Sequence, residues 1–253
     1  MSWPLIKYVL KAAFRDRLVL SLIILLLLGT SLSVFMGSAA VTEQDYFALV
    51  FAAGSLRFLG IAGLVLFVVF FVRRSFESRD VEYLLSRPIS RVEFLLSYAF
   101  SFSMLAVTLG VVQGLCLYII GPHLFGPGTM LWVVSAVVEN ILMVSVALFF
   151  SMVLTSAASA TMATFAFYIL ARMMGQILGI IDGGSKIYNL EFLEIIMQGI
   201  SSVMPRLDLM GQSTWLIYGP DVSVGYGFIF AQGTVFAALI ILASLIDLVR
   251  RQF

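Results

Sequence analysis

The stretch RRSFESRDVEYLLSRPISRVE, residues 73–93, decides how this chain is read. It is the most densely charged segment of the protein, and apolar runs long enough to cross a bilayer stand on both sides of it. So many charges cannot stay in hydrocarbon, so the segment must leave the membrane and carry structure of its own. Asp80 to Ser86 reads as a short helix. Arg87 precedes Pro88, and a residue before proline is pushed out of the helical region, so that helix stops there. Ser90-Arg91-Val92-Glu93 has the capping-box pattern, with the serine oxygen accepting from the Glu93 amide and the Glu93 carboxylate reaching back to the Ser90 amide. Phe94-Leu95-Leu96 follows at once, so a long helix starts here. A short helix held across the mouth of two spans is a handle on which a soluble partner can push.

The rest of the chain supplies the spans. Of 253 residues, 61% are hydrophobic and only 11% charged, with a mean hydropathy of +1.07. Soluble domains are about 45–50% apolar and about 25% charged. The expected fold is an all-α integral membrane bundle forming one transmembrane domain over residues 1–253. The net charge of +1 says nothing about partners, and no nucleic-acid partner is expected. The single cysteine, Cys116, lies in an apolar run, which excludes a disulfide framework and a thiolate metal cluster.

Residues 2–17 place Ile6, Val9, Leu10 and Ala13 on one helical face and Lys7, Lys11 and Arg15 on another, with Trp3 and Tyr8 as headgroup-level aromatics. That pattern predicts an amphipathic helix lying in the membrane interface over residues 1–17. Six spans of about 20 or more residues follow, near 18–36, 47–72, 94–120, 130–154, 161–181 and 225–248. The first is of spanning length and has no A-x-A-like cleavage site after it, so it is expected to be retained. The third ends at the helix breakers GPHLFGPG, and the fifth at Asp182-Gly183-Gly184. The small residues Thr155 to Ala160 predict a tight turn between the fourth and fifth.

Six spans put both termini on one side. With that side cytoplasmic, the inner segments hold Lys7, Lys11, Arg15, Arg17, Arg73, Arg74, Arg79, Arg87, Arg91, Arg250 and Arg251, and the outer ones only Lys186 and Arg206. The positive-inside rule therefore predicts cytoplasmic termini and a cytoplasmic 73–93 segment in a multi-pass plasma-membrane protein, the bacterial inner membrane being the expected site. The outer segment 182–224 is long. Leu193, Ile196, Met197, Ile200, Val203 and Met204 share one helical face and Pro205 follows, which predicts a short amphipathic helix, either on the outer leaflet or dipping into the bundle.

Enzyme chemistry can be tested by asking for its residues. The only histidine is His123, in an outer loop, and no cluster has metal-ligand spacing. The phosphate-loop look of Gly179 to Lys186 fails because its serine and lysine are in the wrong order. The methionines have no ordered spacing and read as adaptable packing. No catalytic, cofactor or metal site is expected in this chain. Arg57, Glu139 and Arg172 do lie mid-span, where a charge is costly unless paired or facing water. Glu139 is expected to pair with Arg57 or Arg172, either to fix packing or to line a substrate path. Gly110 with Gly114 and Gly175 with Gly179 form GxxxG patterns, a weak signal for close helix approach.

The chain resembles permease subunits of the type-2 ATP-binding-cassette exporter family. The resemblance covers nearly the whole length: the basic amphipathic first helix, the long second span, the LLSRPISRVEF core, the small-residue turn and Met204-Pro205 before the last span. At its centre stand Glu82, Leu84, Leu85, Pro88, Ser90 and Arg91. The resemblance implies that residues 77–89, with Glu77, Asp80, Glu82, Tyr83, Leu84, Leu85, Arg87, Pro88 and Ile89, form a coupling helix seated on a separate ATPase subunit. It also implies a second permease chain, identical or related, with ATP and Mg bound only by the ATPase partner. The substrate stays open. The competing class is an ATPase-coupled signalling or anchoring subunit that moves nothing. In a transporter, Arg57, Gln113, Glu139, Asn140, Arg172 and Gln176 should face a shared interior.

Overall fold

Six helices of the computed structural model are long and apolar enough to cross a membrane, so the chain is a multi-pass membrane protein. The structure describes residues 2–78, 90–188 (backbone alone over 181–188), 199–200, 204–220 and 224–250. Among these residues there is no strand. The helices are α1 (Trp3–Arg15), α2 (Arg17–Ser38), α3 (Gln44–Glu77), α4 (Arg91–Ile120), α5 (Pro127–Val153), α6 (Ala157–Tyr188), the short α7 (Thr214–Tyr218) and α8 (Tyr226–Arg250), with 3-10 turns at Pro122–Leu124 and Leu207–Leu209. The six long ones are α2 to α6 and α8.

Helix ends follow local chemistry. Asp16 has an extended backbone that ends α1, and its carboxylate accepts from the Leu18 amide at 2.9 Å, starting α2 with one free N–H satisfied. Ser90 likewise caps α4, its hydroxyl accepting from the Glu93 amide at 3.1 Å. The fifth span departs from expectation. Asp182, Gly183 and Gly184 do not end it, since α6 runs on to Tyr188, and the outer segment starts only after that residue. A glycine inside a helix costs about 1 kcal/mol relative to alanine, too little to stop a helix that is otherwise well supported. The predicted small-residue turn is also shorter than expected: only Leu154 to Ser156 lie outside helices, and Ala157 to Ala160 form the first turn of α6.

The bundle has two ends. At one, α1, the α3 end, the α4 start and the α8 end meet, and we call it the terminal face. At the other, the loop face, Gly37 packs on Ala48, and His123 Nε2 sits 3.3 Å from Asp45. Helix α5 is the centre, with 67% of its apolar window buried, against 22% for each of α2, α6 and α8, which turn most of their apolar surface outward. Gly110 and Gly114 lie against Val137 and Val133, where a Cβ would come within 2.4 and 3.0 Å, so this GxxxG pair sets the α4–α5 crossing. The second pair does not work that way: Gly175 faces Asp208 and Gly179 faces open space.

Near the terminal face, α3 and α4 interlock through aromatics. Phe71 of α3 lies 6.1 Å by ring centroids from Tyr98 of α4, and Phe67 meets Phe102 edge-on at 6.2 Å. Helix α1 is fastened beside them. Its apolar face, expected in the lipid interface, is instead packed on the bundle: Leu5, Ile6, Val9 and Ala13 are at most 4% exposed, and the Ser2 amide donates to Ser97 Oγ. Protein competes with lipid for that face, and the start of α4 wins it. Trp3, Tyr8, Lys7 and Lys11 face outward. The short helix expected within 80–86, and most of the amphipathic helix expected before Pro205, lie outside the described residues.

Candidate functional site

Arg57 of α3, Glu139 of α5 and Arg172 of α6 meet in the middle of the bundle. Arg57 and Glu139 each sit roughly 18–20 Å along their helices from the loop-face end, at about 1.5 Å per residue. Arg57 Nε lies 3.3 Å from Glu139 Oε2, and Arg172 Nη1 lies 3.7 Å from Oε1. One carboxylate thus serves both arginines, where the sequence suggested one partner or the other. The three come together because α5 is central and touches both α3 and α6. Glu139 is fully buried and Arg57 nearly so. The Arg57 guanidinium carbon also stands 5.0 Å from the Trp132 ring centroid, a cation–π contact inside the protein. Buried Tyr168 on α6 borders the same group.

Two cations against one anion leave a surplus positive charge in a dry place, and a buried charge persists only with further polar partners. Those partners come from the connection between α6 and α8. Arg57 donates to the Gly211 carbonyl, and Arg172 donates to the Leu207 and Met210 carbonyls, the latter at 2.8 Å. The loop-face segment 204–219 therefore tucks into the bundle and covers the charge cluster. Irregular backbone at that depth is tolerated because protein surrounds it and its carbonyls are engaged. Gly211 has φ +54, in the left-handed region, and a Cβ there would fall 1.6 Å from an Arg57 nitrogen, so both backbone and space demand glycine. Gly128 at the α5 start lets the Trp215 carbonyl approach where a Cβ would be 1.9 Å away. Arg206 and Asp208 brace the segment by hydrogen bonds of 2.8 and 2.9 Å, and that bond to Asp208 raises the Arg206 pKa above its ordinary value.

A second buried polar chain lies beside the first. Gln113 on α4 donates to the Leu56 carbonyl at 2.8 Å, and Asn140 donates to Gln113 Oε1 at 3.2 Å. Gly60 makes room for it, since a Cβ there would meet the Gln113 amide nitrogen at 2.1 Å. Of the six polar residues expected around a shared interior, Arg57, Gln113, Glu139 and Asn140 are buried and Arg172 is half-buried. Gln176 is the exception: it is exposed, one helical turn from Arg172 on the outward side of α6.

At the terminal face, two arginines that count in sequence only as orienting charges have definite partners. Arg73, near the end of α3, donates to the Leu154 and Thr155 carbonyls just past α5. Arg91, at the start of α4, donates to the Leu248 and Val249 carbonyls at the end of α8, at 3.0 and 3.2 Å. Both cations bind carbonyls at helix C-termini, which have no partner within the helix and carry the negative end of the dipole. Of the coupling residues named from sequence, Glu77 ends α3 and is exposed, while Asp80, Glu82, Tyr83, Leu84, Leu85, Arg87, Pro88 and Ile89 lie outside the described residues.

No group of acids, histidines and cysteines among the described residues could hold a metal ion. What the central cluster can do is lock: Glu139 holds both arginines, and an arginine that leaves gives up its carbonyl partner, Gly211 for Arg57 or Leu207 and Met210 for Arg172. Comparison with protein-family models finds no match, and comparison with curated proteins finds none either. Sequence reasoning missed the carbonyl partners of Arg57, Arg73, Arg91 and Arg172 because any residue supplies a carbonyl. Gly211 was the one visible trace.

Proposed function

We propose that the chain is the membrane-spanning permease subunit of an ATP-binding-cassette transporter, an exporter, driven by a separate ATPase seated on residues 77–89. One observation carries this reading: both ends of the 79–89 connection are tied to other spans. The α3 end is joined through Arg73 to the end of α5, and the α4 start through Arg91 to the end of α8. A force on the connection would thus reach four spans at once, and the aromatic interlock of α3 with α4 would keep it from being absorbed locally. The locked cluster at Glu139, covered by 207–211, supplies an element with two arrangements, closed and released, which such a force could bias. The outward apolar faces of α2, α6 and α8 are available to lipid and to a second permease chain.

The test is a pull-down of the tagged full chain from native membrane, with identification of partners and an ATPase assay. A stoichiometric ATPase that is lost when Glu82 and Arg87 are reversed in charge supports the reading. A folded chain that emerges alone removes the energy source and sinks it. A second reading, a signalling or anchoring subunit that carries nothing, is favoured by the near-complete burial of Arg57, Gln113, Glu139 and Asn140. A co-purifying ATPase with no substrate movement in reconstituted vesicles would select it.

A further inference from the structure

The joint between α1 and α2 borders an open groove of about 690 Å3 at the terminal face. Tyr8, Arg15 and Arg17 wall one side and Phe70, Phe71 and Arg74 the other. Asp16 lies in the same groove, but its carboxylate already accepts from the Leu18 amide. The three arginines are exposed, and none has a carboxylate partner among the described residues. Three cations against the one Asp16 carboxylate leave a net positive field that a further anion would neutralise. Leu18 also lines a second, apolar crevice of about 70 Å3 between α2, α3 and α4, bounded by Phe14, Leu22, Leu64, Phe67 and Leu109. A charged groove that meets an apolar crevice at one residue fits a molecule with a charged head and an apolar tail. Exposed Tyr8 and Phe14 on α1 border the groove and the crevice, at the start of the first span, where headgroups lie.

We propose that this groove holds the phosphate headgroup of an anionic phospholipid, with an acyl chain passing Leu18 into the crevice. Arginine suits the role because its planar fork binds phosphate oxygens in pairs. The aromatic walls of Phe70 and Phe71 exclude water from one side of the head, and the crevice gives the tail a reason to enter that a free phosphate lacks. The site is independent of the transport reading, since it uses residues outside the connection and the central cluster.

Native mass spectrometry of the detergent-purified full chain, titrated with phosphatidylglycerol or phosphatidylcholine, tests it. The wild-type chain should retain one phosphatidylglycerol in preference to phosphatidylcholine. The R15Q/R17Q/R74Q variant should lose at least about tenfold of that preference. Lys7→Gln removes a charge from the same helix outside the groove and should leave the preference unchanged. Excess inorganic phosphate should not displace the lipid. An undiminished preference in the triple variant, an equal loss in K7Q, or displacement by inorganic phosphate would each overturn the proposal, the second pointing to diffuse charge and the third to a small-anion site. Should the triple variant unfold, Arg74→Gln alone, with an expected loss of about fivefold, decides the same question.

Discussion

Arg73 donates to the Leu154 carbonyl at 3.1 Å, joining the end of the second span to the end of the fourth. The residues are 81 positions apart, and the contact exists only because α3 and α5 run side by side to the terminal face. It gives Arg73 a task besides orienting the chain. Replacing it by glutamine should cost about 1 kcal/mol, the low side of a charged hydrogen bond because the group is partly exposed. Amide exchange at residues 154–156 should rise. If an ATPase partner is found, R73Q should keep the partner but lower the substrate moved per ATP. A variant with normal exchange and normal coupling would remove Arg73 from the path of force.

Glu139→Gln should be among the most damaging single changes in the chain. It leaves the buried Arg57 and the half-buried Arg172 with no anion, and breaking a buried ion pair from one side costs about 3–5 kcal/mol. Yield and thermal midpoint in detergent measure it. Adding Arg172→Gln should recover part of the loss by removing the surplus charge, so the two changes should be clearly non-additive. Additive losses would mean that Glu139 and Arg172 do not act as a unit.

Gly211→Ala combines a left-handed backbone with a Cβ aimed at the Arg57 guanidinium. The backbone term alone is about 1–2 kcal/mol, and the displaced arginine adds to it. The expected result is a loosened 204–219 segment, read as faster proteolysis near Pro205 with the rest of the bundle intact. Unchanged proteolysis would show that the segment is not held by Arg57.

Two other glycines should separate cleanly. At Gly128 a Cβ would collide with the Trp215 backbone oxygen, so Gly128→Ala should push α7 away and red-shift the emission of Trp215, which is now 1% exposed. Gly179 lies in α6 with nothing within 4 Å of a Cβ, so Gly179→Ala should be neutral or stabilise by up to about 1 kcal/mol through helix propensity. The reverse order of effects would contradict the packing at the loop face.

Much of the fold was legible because the bilayer imposes length and polarity on each span. Expected and observed span limits differ by a few residues at most ends, and Ser90 caps α4 as its position before Glu93 suggested. The errors arose where two surfaces compete for the same face or where a weak breaker meets a strong helix. The apolar side of α1 could satisfy lipid or protein equally by composition, and only the open flank of α4 settled it for protein. The two glycines after Asp182 read as a stop in sequence, yet the surrounding helix absorbs their cost.

By itself the sequence determined that six helices are long and apolar enough to cross a membrane, that residues 73–93 are too densely charged for hydrocarbon, and that Arg57, Glu139 and Arg172 need company. All three follow from transfer free energy, which depends on residue type and run length alone. Tertiary structure alone decided that one glutamate serves both arginines, that the backbone of 207–211 completes their shell, and that Arg73 and Arg91 tie the charged connection to α5 and α8. The reason is that, the shared glutamate apart, these contacts end on main-chain carbonyls, which every residue carries. Only the packing of distant segments says which carbonyl lies within reach of which guanidinium.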